Sequence, residues 1–282
     1  MRRRHLRLCV AALATGLLLA GCSGDGSDGT AAPGPPGSPP TGSRPAGASG
    51  DTRSGPPPSP SPSPSPTSLD FTPDPGRAPK TTSQAERLAR AIAAKPANWG
   101  PGYVRRTLYE SDPGFQPVLD TDCVWQLEPL PASVLASLTR YSELPAQDGK
   151  GPIRVSAVVT VHRTVKDADW EMAETLEEAM RCPDQQLRQG ERLRDVASLG
   201  AGYGLGGNYS AEDSLTERGE YYSDELGGPL FYYWIQSRLA QVTVAVVGRG
   251  SEGRSEDEVS SAMRQGIVQM LTRAETELEA PE

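Results

Sequence analysis

Sixteen of the 27 prolines lie between Ala31 and Lys80, and this one stretch decides where the chain can fold. From Ser23 to Lys80, Pro, Gly, Ser and Thr dominate, and Pro56-Pro57-Pro58 runs into alternating Ser-Pro through Pro66. No hydrophobic period appears there. Such a composition buries too little apolar surface to offset chain entropy and is expected to be disordered. Folding is thereby confined to residues 81–280, about 200 residues, enough for one domain with a full core. Pro-rich chain favours extended polyproline II at about 3.1 Å per residue, so the segment reaches on the order of 100 Å. It reads either as a spacer that carries the domain away from a surface or as a flexible tether of no selected length.

The residues before it suggest what it is tethered to. Arg2, Arg3, Arg4 and Arg7 precede an apolar run from Leu8 to Ala20, long enough for a signal-peptide core but short for a membrane span. Leu19-Ala20-Gly21-Cys22 then resembles the lipobox of bacterial lipoproteins at all four positions. The resemblance implies cleavage before Cys22 and diacylglycerol on its thiol, hence a chain held by lipid at the outer face of the cell membrane. An ordinary secretory signal with a chance cysteine is the alternative. The expected organisation is a signal peptide over 1–21, a disordered Pro/Gly/Ser-rich tether over 22–80 and a globular domain over 81–280. Loss of the four arginines leaves 24 basic against 36 acidic side chains, a net charge of −12. A chain this acidic repels phosphate backbones and anionic membrane surfaces, so nucleic acid is excluded as a partner and lipid must supply attachment.

Within 81–280, Ser83-Gln84-Ala85-Glu86 has the capping-box pattern, and Ala85, Leu88, Ala89 and Ile92 follow at helical spacing before Pro96. Strands are expected at Tyr103–Tyr109, Cys123–Leu127, Val134–Tyr141 and, most clearly, in the β-branched run Ile153–Val165. A second helix is expected from Lys166 to Arg181, with Met172, Leu176, Ala179 and Met180 buried. Five glycines between Gly200 and Gly207 mark a loop. Phe231–Arg238 and Gln241–Val247 read as a hairpin turning at Leu239-Ala240. A last helix opens with Ser255-Glu256-Asp257-Glu258 and carries Val259, Met263, Ile267, Met270, Leu271, Ala274 and Leu278 as its apolar stripe. Helix, strands, helix, strands, helix is the order of an α+β fold, an antiparallel sheet with three packed helices.

Cys123 and Cys182 remain once Cys9 leaves with the signal and Cys22 is acylated. An even pair in an oxidising compartment reads as a disulfide; a redox or metal pair lacks C-x-x-C spacing and a nearby histidine. With Trp99-Gly100-Pro101-Gly102-Tyr103 after the first helix and Cys182 after the acidic second one, this order resembles the PknH-type extracellular sensor domain of actinobacterial receptor kinases and its stand-alone lipoprotein relatives, over about Ser83 to Leu278. The resemblance implies a sheet with a ligand cleft and no established catalytic residues. Only one cysteine pair is available where those domains can carry two, and the sequence shows neither a kinase nor a transmembrane segment.

Catalytic signals are sparse. His162 is the only histidine beyond the signal segment, which argues against a Ser-His-Asp triad and a two-histidine zinc site. Nucleophile-elbow and phosphate-loop motifs are absent, and Gly202-Tyr203-Gly204-Leu205-Gly206-Gly207 follows no clear strand. Asp167, Asp169 and Glu171 mimic a calcium loop, but Met172 stands where glycine is required. No cofactor or metal is expected. Aromatics concentrate at Tyr221, Tyr222 and Phe231–Trp234; Tyr222, Tyr232 and Trp234 are the candidate cleft, the competing reading being core packing. The functional expectation is a non-enzymatic sensor-like module for a cell-wall or envelope ligand or a protein partner. A carboxylate-dependent wall-glycan hydrolase and a structural envelope protein are the alternatives.

Overall fold

The computed structural model describes residues 71–199 and 211–280. The signal segment, Cys22, most of the tether and the glycine-rich loop lie outside the described residues. Among the described residues there are three α-helices: α1 (Thr82–Ile92), α2 (Val165–Arg181) and α3 (Glu256–Leu278). The strands are β1 (Val104–Glu110), β2 (Phe115–Leu119), β3 (Trp125–Pro129), β4 (Val134–Leu144), β5 (Ile153–His162), β6 (Gln185–Arg188), β7 (Glu191–Ser198), β8 (Asp213–Ser223), β9 (Gly227–Leu239) and β10 (Val242–Arg249). Eight of them form one antiparallel sheet in the order β1-β4-β5-β10-β9-β8-β7-β6, and β2 and β3 pair separately as a hairpin. The expected α+β class, with three helices, an antiparallel sheet and one disulfide, is the architecture found.

The two faces of the sheet differ because side chains alternate along each strand. Leu138 of β4, Val155, Val159 and Val161 of β5, and Val242, Val244 and Val246 of β10 point one way and meet α1 and α3 in the main core. From α1 come Ala85, Leu88, Ala89 and Ile92, and from α3 every residue of the expected stripe. Ser255 caps α3 as anticipated, with Glu258 returning the bond. The first helix instead starts two residues early: Thr81 is its N-cap and Gln84 its partner, because Thr-x-x-Gln offers the same reciprocal bonds as Ser-x-x-Glu. Residues 71–80, expected to end the tether, run beside the end of α3. The backbone N–H of Asp74 donates to the Leu278 carbonyl at 2.8 Å, and Pro73 forms a β-bridge with Glu279.

Helix α2 lies on the opposite face, over a smaller cluster of Leu193, Val196, Tyr221, Tyr232 and Val247. It docks through Ala168, Met172 and Ala179. Leu176 and Met180, expected to be buried, are 41% and 70% exposed. Small residues at positions 168 and 179 let the helix approach closely, and this narrows its contact stripe to one row, leaving 176 rotated about 60° and 180 about 100° from its centre. The hairpin β9–β10 turns one residue later than expected, at Ala240-Gln241, with Leu239 opposite Val242. Strands β2, β6, β7 and β8 were not anticipated; their exposed polar residues hide any alternation.

Cys123, in the β2–β3 turn, is joined to Cys182, the C-cap of α2, with 5.5 Å between their Cα atoms. The bridge closes a 59-residue separation, worth about 4 kcal/mol by chain entropy. Replacing both cysteines by alanine should therefore lower the midpoint of thermal unfolding by about 10 °C, read by circular dichroism. At the other pole of the domain, an added Cβ on Gly266 would stand 2.2 Å from the buried Trp99 ring. Gly266→Ala should destabilise by about 1–3 kcal/mol in urea titration, because that core has no slack.

Candidate functional site

The face under α2 carries hydroxyls and amides where its reverse carries valines. Ser137, Thr139, Thr160, His162, Gln236 and Thr243 are all buried there. Ser137 pairs with Thr160 across β4 and β5, and their hydroxyls lie 3.4 Å apart. The sheet forms a floor, α2 one wall and the β2–β3 hairpin the other, enclosing a cleft of about 730 Å³. That volume suits a ligand of small-molecule size.

The hairpin wall is tied to the α2 wall at one end. Besides the disulfide, Arg181 donates from Nη1 to the Asp120 carbonyl at 2.9 Å, and the Gln186 amide donates to the Cys123 carbonyl at 2.8 Å. Gln185 closes the floor there, its Oε1 accepting from Trp125 Nε1 at 2.8 Å and its Nε2 donating to the Cys182 carbonyl at 3.0 Å.

Tyr232 and Trp234 line this cleft, while Tyr222 does not. Tyr221 packs beside Tyr232, so Tyr222, the next residue along β8, faces the reverse side. There its ring sits between Arg192 and Arg194, at 5.0 and 5.5 Å, and its hydroxyl donates to Glu220. Two more tryptophans, Trp125 and Trp170, line the cleft from the hairpin and from α2. Nothing local in the sequence groups them, since 45 residues separate them and neither adjoins the aromatic run.

His162 is buried, as a packed strand histidine is. Its ring donates through Nε2 to Glu171 Oε2 at 2.5 Å, and Thr243 donates to the same oxygen at 2.6 Å. Glu171 thus serves as an anchor of α2 on β5 and β10. Asp167 shares two bonds with the N-cap Thr164, the helix-start role its position suggested. Among the described residues, no group of three metal-ligating side chains comes together.

Two other carboxylates of the cleft have no such role. Glu217 of β8 is 5% exposed, and its Oε1 is buried with no hydrogen-bond partner. Burial, reinforced by the charge of Glu178, pushes its pKa up to about 7. Burial likewise raises Glu178 to about 7, with Arg181 pulling it down and Glu174, Glu177 and Glu171 adding to the rise. Tyr232 is raised too, by burial first and then by Glu217. No sequence signal distinguished Glu178 or Glu217 among 36 acidic residues, because only the fold decides which carboxylates lose water.

No known family model matches the chain, and no curated protein matches it in sequence. Among solved structures, the extracellular domain of PknH from Mycobacterium tuberculosis is similar at a TM-score of 0.41 and 12% identity, over 67% of this chain and 97% of that one.

A carboxyl whose pKa is raised on folding holds its proton in the folded state at pH values where the unfolded chain has lost it. Stability from Glu217 is therefore greatest below about pH 4.5 and is lost as pH rises toward 7. Glu217→Gln should remove that slope and stabilise the domain at pH 8 by about 2 kcal/mol, seen as a higher unfolding midpoint than the parent at pH 8 and little difference at pH 4.5.

Proposed function

We propose that this chain is an extracytoplasmic lipoprotein, acylated at Cys22, whose domain binds a ligand in the cleft between α2 and the β2–β3 hairpin and performs no chemistry on it. The observation that carries the reading is Glu217: a buried carboxylate oxygen with no partner, set in a cleft of ligand size among aromatic rings. Folding gains nothing from such a group, and a ligand that donates to it would complete its bonding. The Cys123–Cys182 bridge supports a location outside the cytoplasm, where disulfides persist. The lipobox-like Leu19-Ala20-Gly21-Cys22 supports the anchor, and a cell-wall or envelope component is the ligand class such a place offers.

One observation favours a second reading. Glu178 and Glu217 both line the cleft, and burial raises Glu217 into the range of a general acid, one half of the acid–base pair that glycan hydrolysis needs. Thermal-shift titration with wall glycan and peptide fragments, followed by product analysis, separates the two. A saturable shift without product supports binding alone, cleaved glycan supports the hydrolase, and no shift with any fragment overturns both. The anchor has its own test: Cys22→Ser should move the protein from the membrane to the soluble fraction, and an unchanged distribution sinks the lipoprotein assignment.

A further inference from the structure

The charge of the cleft is lopsided. Seven carboxylates line it, against Lys166, Arg181 and His162. Three of the seven are already engaged: Glu171 by His162 and Thr243, Glu177 by Arg181, and Asp167 by Thr164. Glu217 is buried, lines the cleft and has an oxygen that nothing in the domain satisfies. Glu178 lines the cleft beside it and forms no ion pair among the described residues. Tyr232 and Trp234 flank Glu217 on the neighbouring strand, Trp234 directly opposite it in register.

Resting on the ligand-binding reading above, we infer that the ligand is an organic cation bearing a primary ammonium group, its charge met by Glu217 and Glu178 and its stem lying against Trp234. A carboxylate in a low-dielectric pocket gains most from a full opposite charge that also donates hydrogen bonds. Aromatic faces attract the same charge and cover alkyl carbon. An anionic ligand would enter a field of its own sign. A hydrated metal ion needs a set of oxygen ligands that the described residues do not gather, and tryptophan offers it none.

The ammonium group has two sources in an envelope: a free diamine, or a lysine-like side chain of a wall peptide. Calorimetric titration of the full mature chain in detergent at pH 8 distinguishes them with four probes: 1,5-diaminopentane, the peptide acetyl-Ala-Lys-Ala-amide, the neutral 1,5-pentanediol and calcium chloride. The expected result is binding of one or both ammonium probes, with the diol weaker by about tenfold or more. Binding of the diamine alone identifies a free polyamine, and binding of the peptide alone identifies a side chain. Glu217→Gln should weaken the ammonium probe by about tenfold while raising the unfolding midpoint, a combination that damage to the fold does not produce. The inference is overturned if the diol binds as tightly as the diamine, if Glu217→Gln leaves ammonium affinity unchanged, or if calcium alone binds. Should a neutral wall glycan bind and lose affinity in Trp234→Ala while neither ammonium probe binds, the cation falls and the ligand-binding reading stands. If no probe and no wall fragment binds, both fall.

Discussion

Eight consecutive residue pairs join β10 to β5, from Val242 opposite Val161 to Arg249 opposite Arg154, and this register decides the chemistry of both faces of the sheet. Valines fall in step on one side and meet two helices there. On the other, Thr243 stands opposite Thr160 beside Ala245, Val158 and Val247, and a single helix and a hairpin cover that face incompletely. A slip of one residue would send the valine row of the main core to the cleft face and Thr160 and Thr243 into that core. The site is thus set by the same alternation that builds the core, and neither can shift without the other.

The asymmetry has an energetic meaning. On the α1 and α3 side, burial is apolar and closely fitted, to the point that Gly266 has no room for a methyl group against Trp99. On the α2 side, buried polar groups answer one another where they can: Ser137 with Thr160, Glu171 with His162 and Thr243. Glu217 has no such answer, and its destabilising burial is borne by the tightly packed half.

How much of this was legible in the sequence follows from which signals are local. Capping boxes, the 3.6-residue stripe of α3 and the valine run of β5 depend only on neighbours in the chain, and they located the elements to within a few residues. Cysteine parity pointed to the disulfide because the expected loss of Cys9 and acylation of Cys22 would leave two thiols to pair. Strands β6, β7 and β8 were not legible, since charges interrupt their pattern: β7 buries Glu191 and β8 buries Glu217, positions that hydrophobic alternation reads as exposed. Of the aromatic run, Tyr232 and Trp234 reached the cleft, but Tyr222 did not, because the pairing of β8 with β9 fixes which of two adjacent tyrosines turns inward. Glu178 and Glu217 were illegible for a deeper reason: a carboxylate is made unusual by loss of solvent, and sequence does not show solvent.

The covalent link between the hairpin turn and the end of α2 has one more consequence. It fastens the two walls at a single corner, so thiol oxidation is a maturation step for the pocket as well as for the fold. A copy of this polypeptide held under reducing conditions would keep its valine core and helices, yet its hairpin would stay attached at that corner through hydrogen bonds alone, from Arg181, from Trp125 to Gln185 and from a short stretch of backbone pairing. Redox state would then set how firmly the two walls of the cleft are held together, separately from whether the main core is folded.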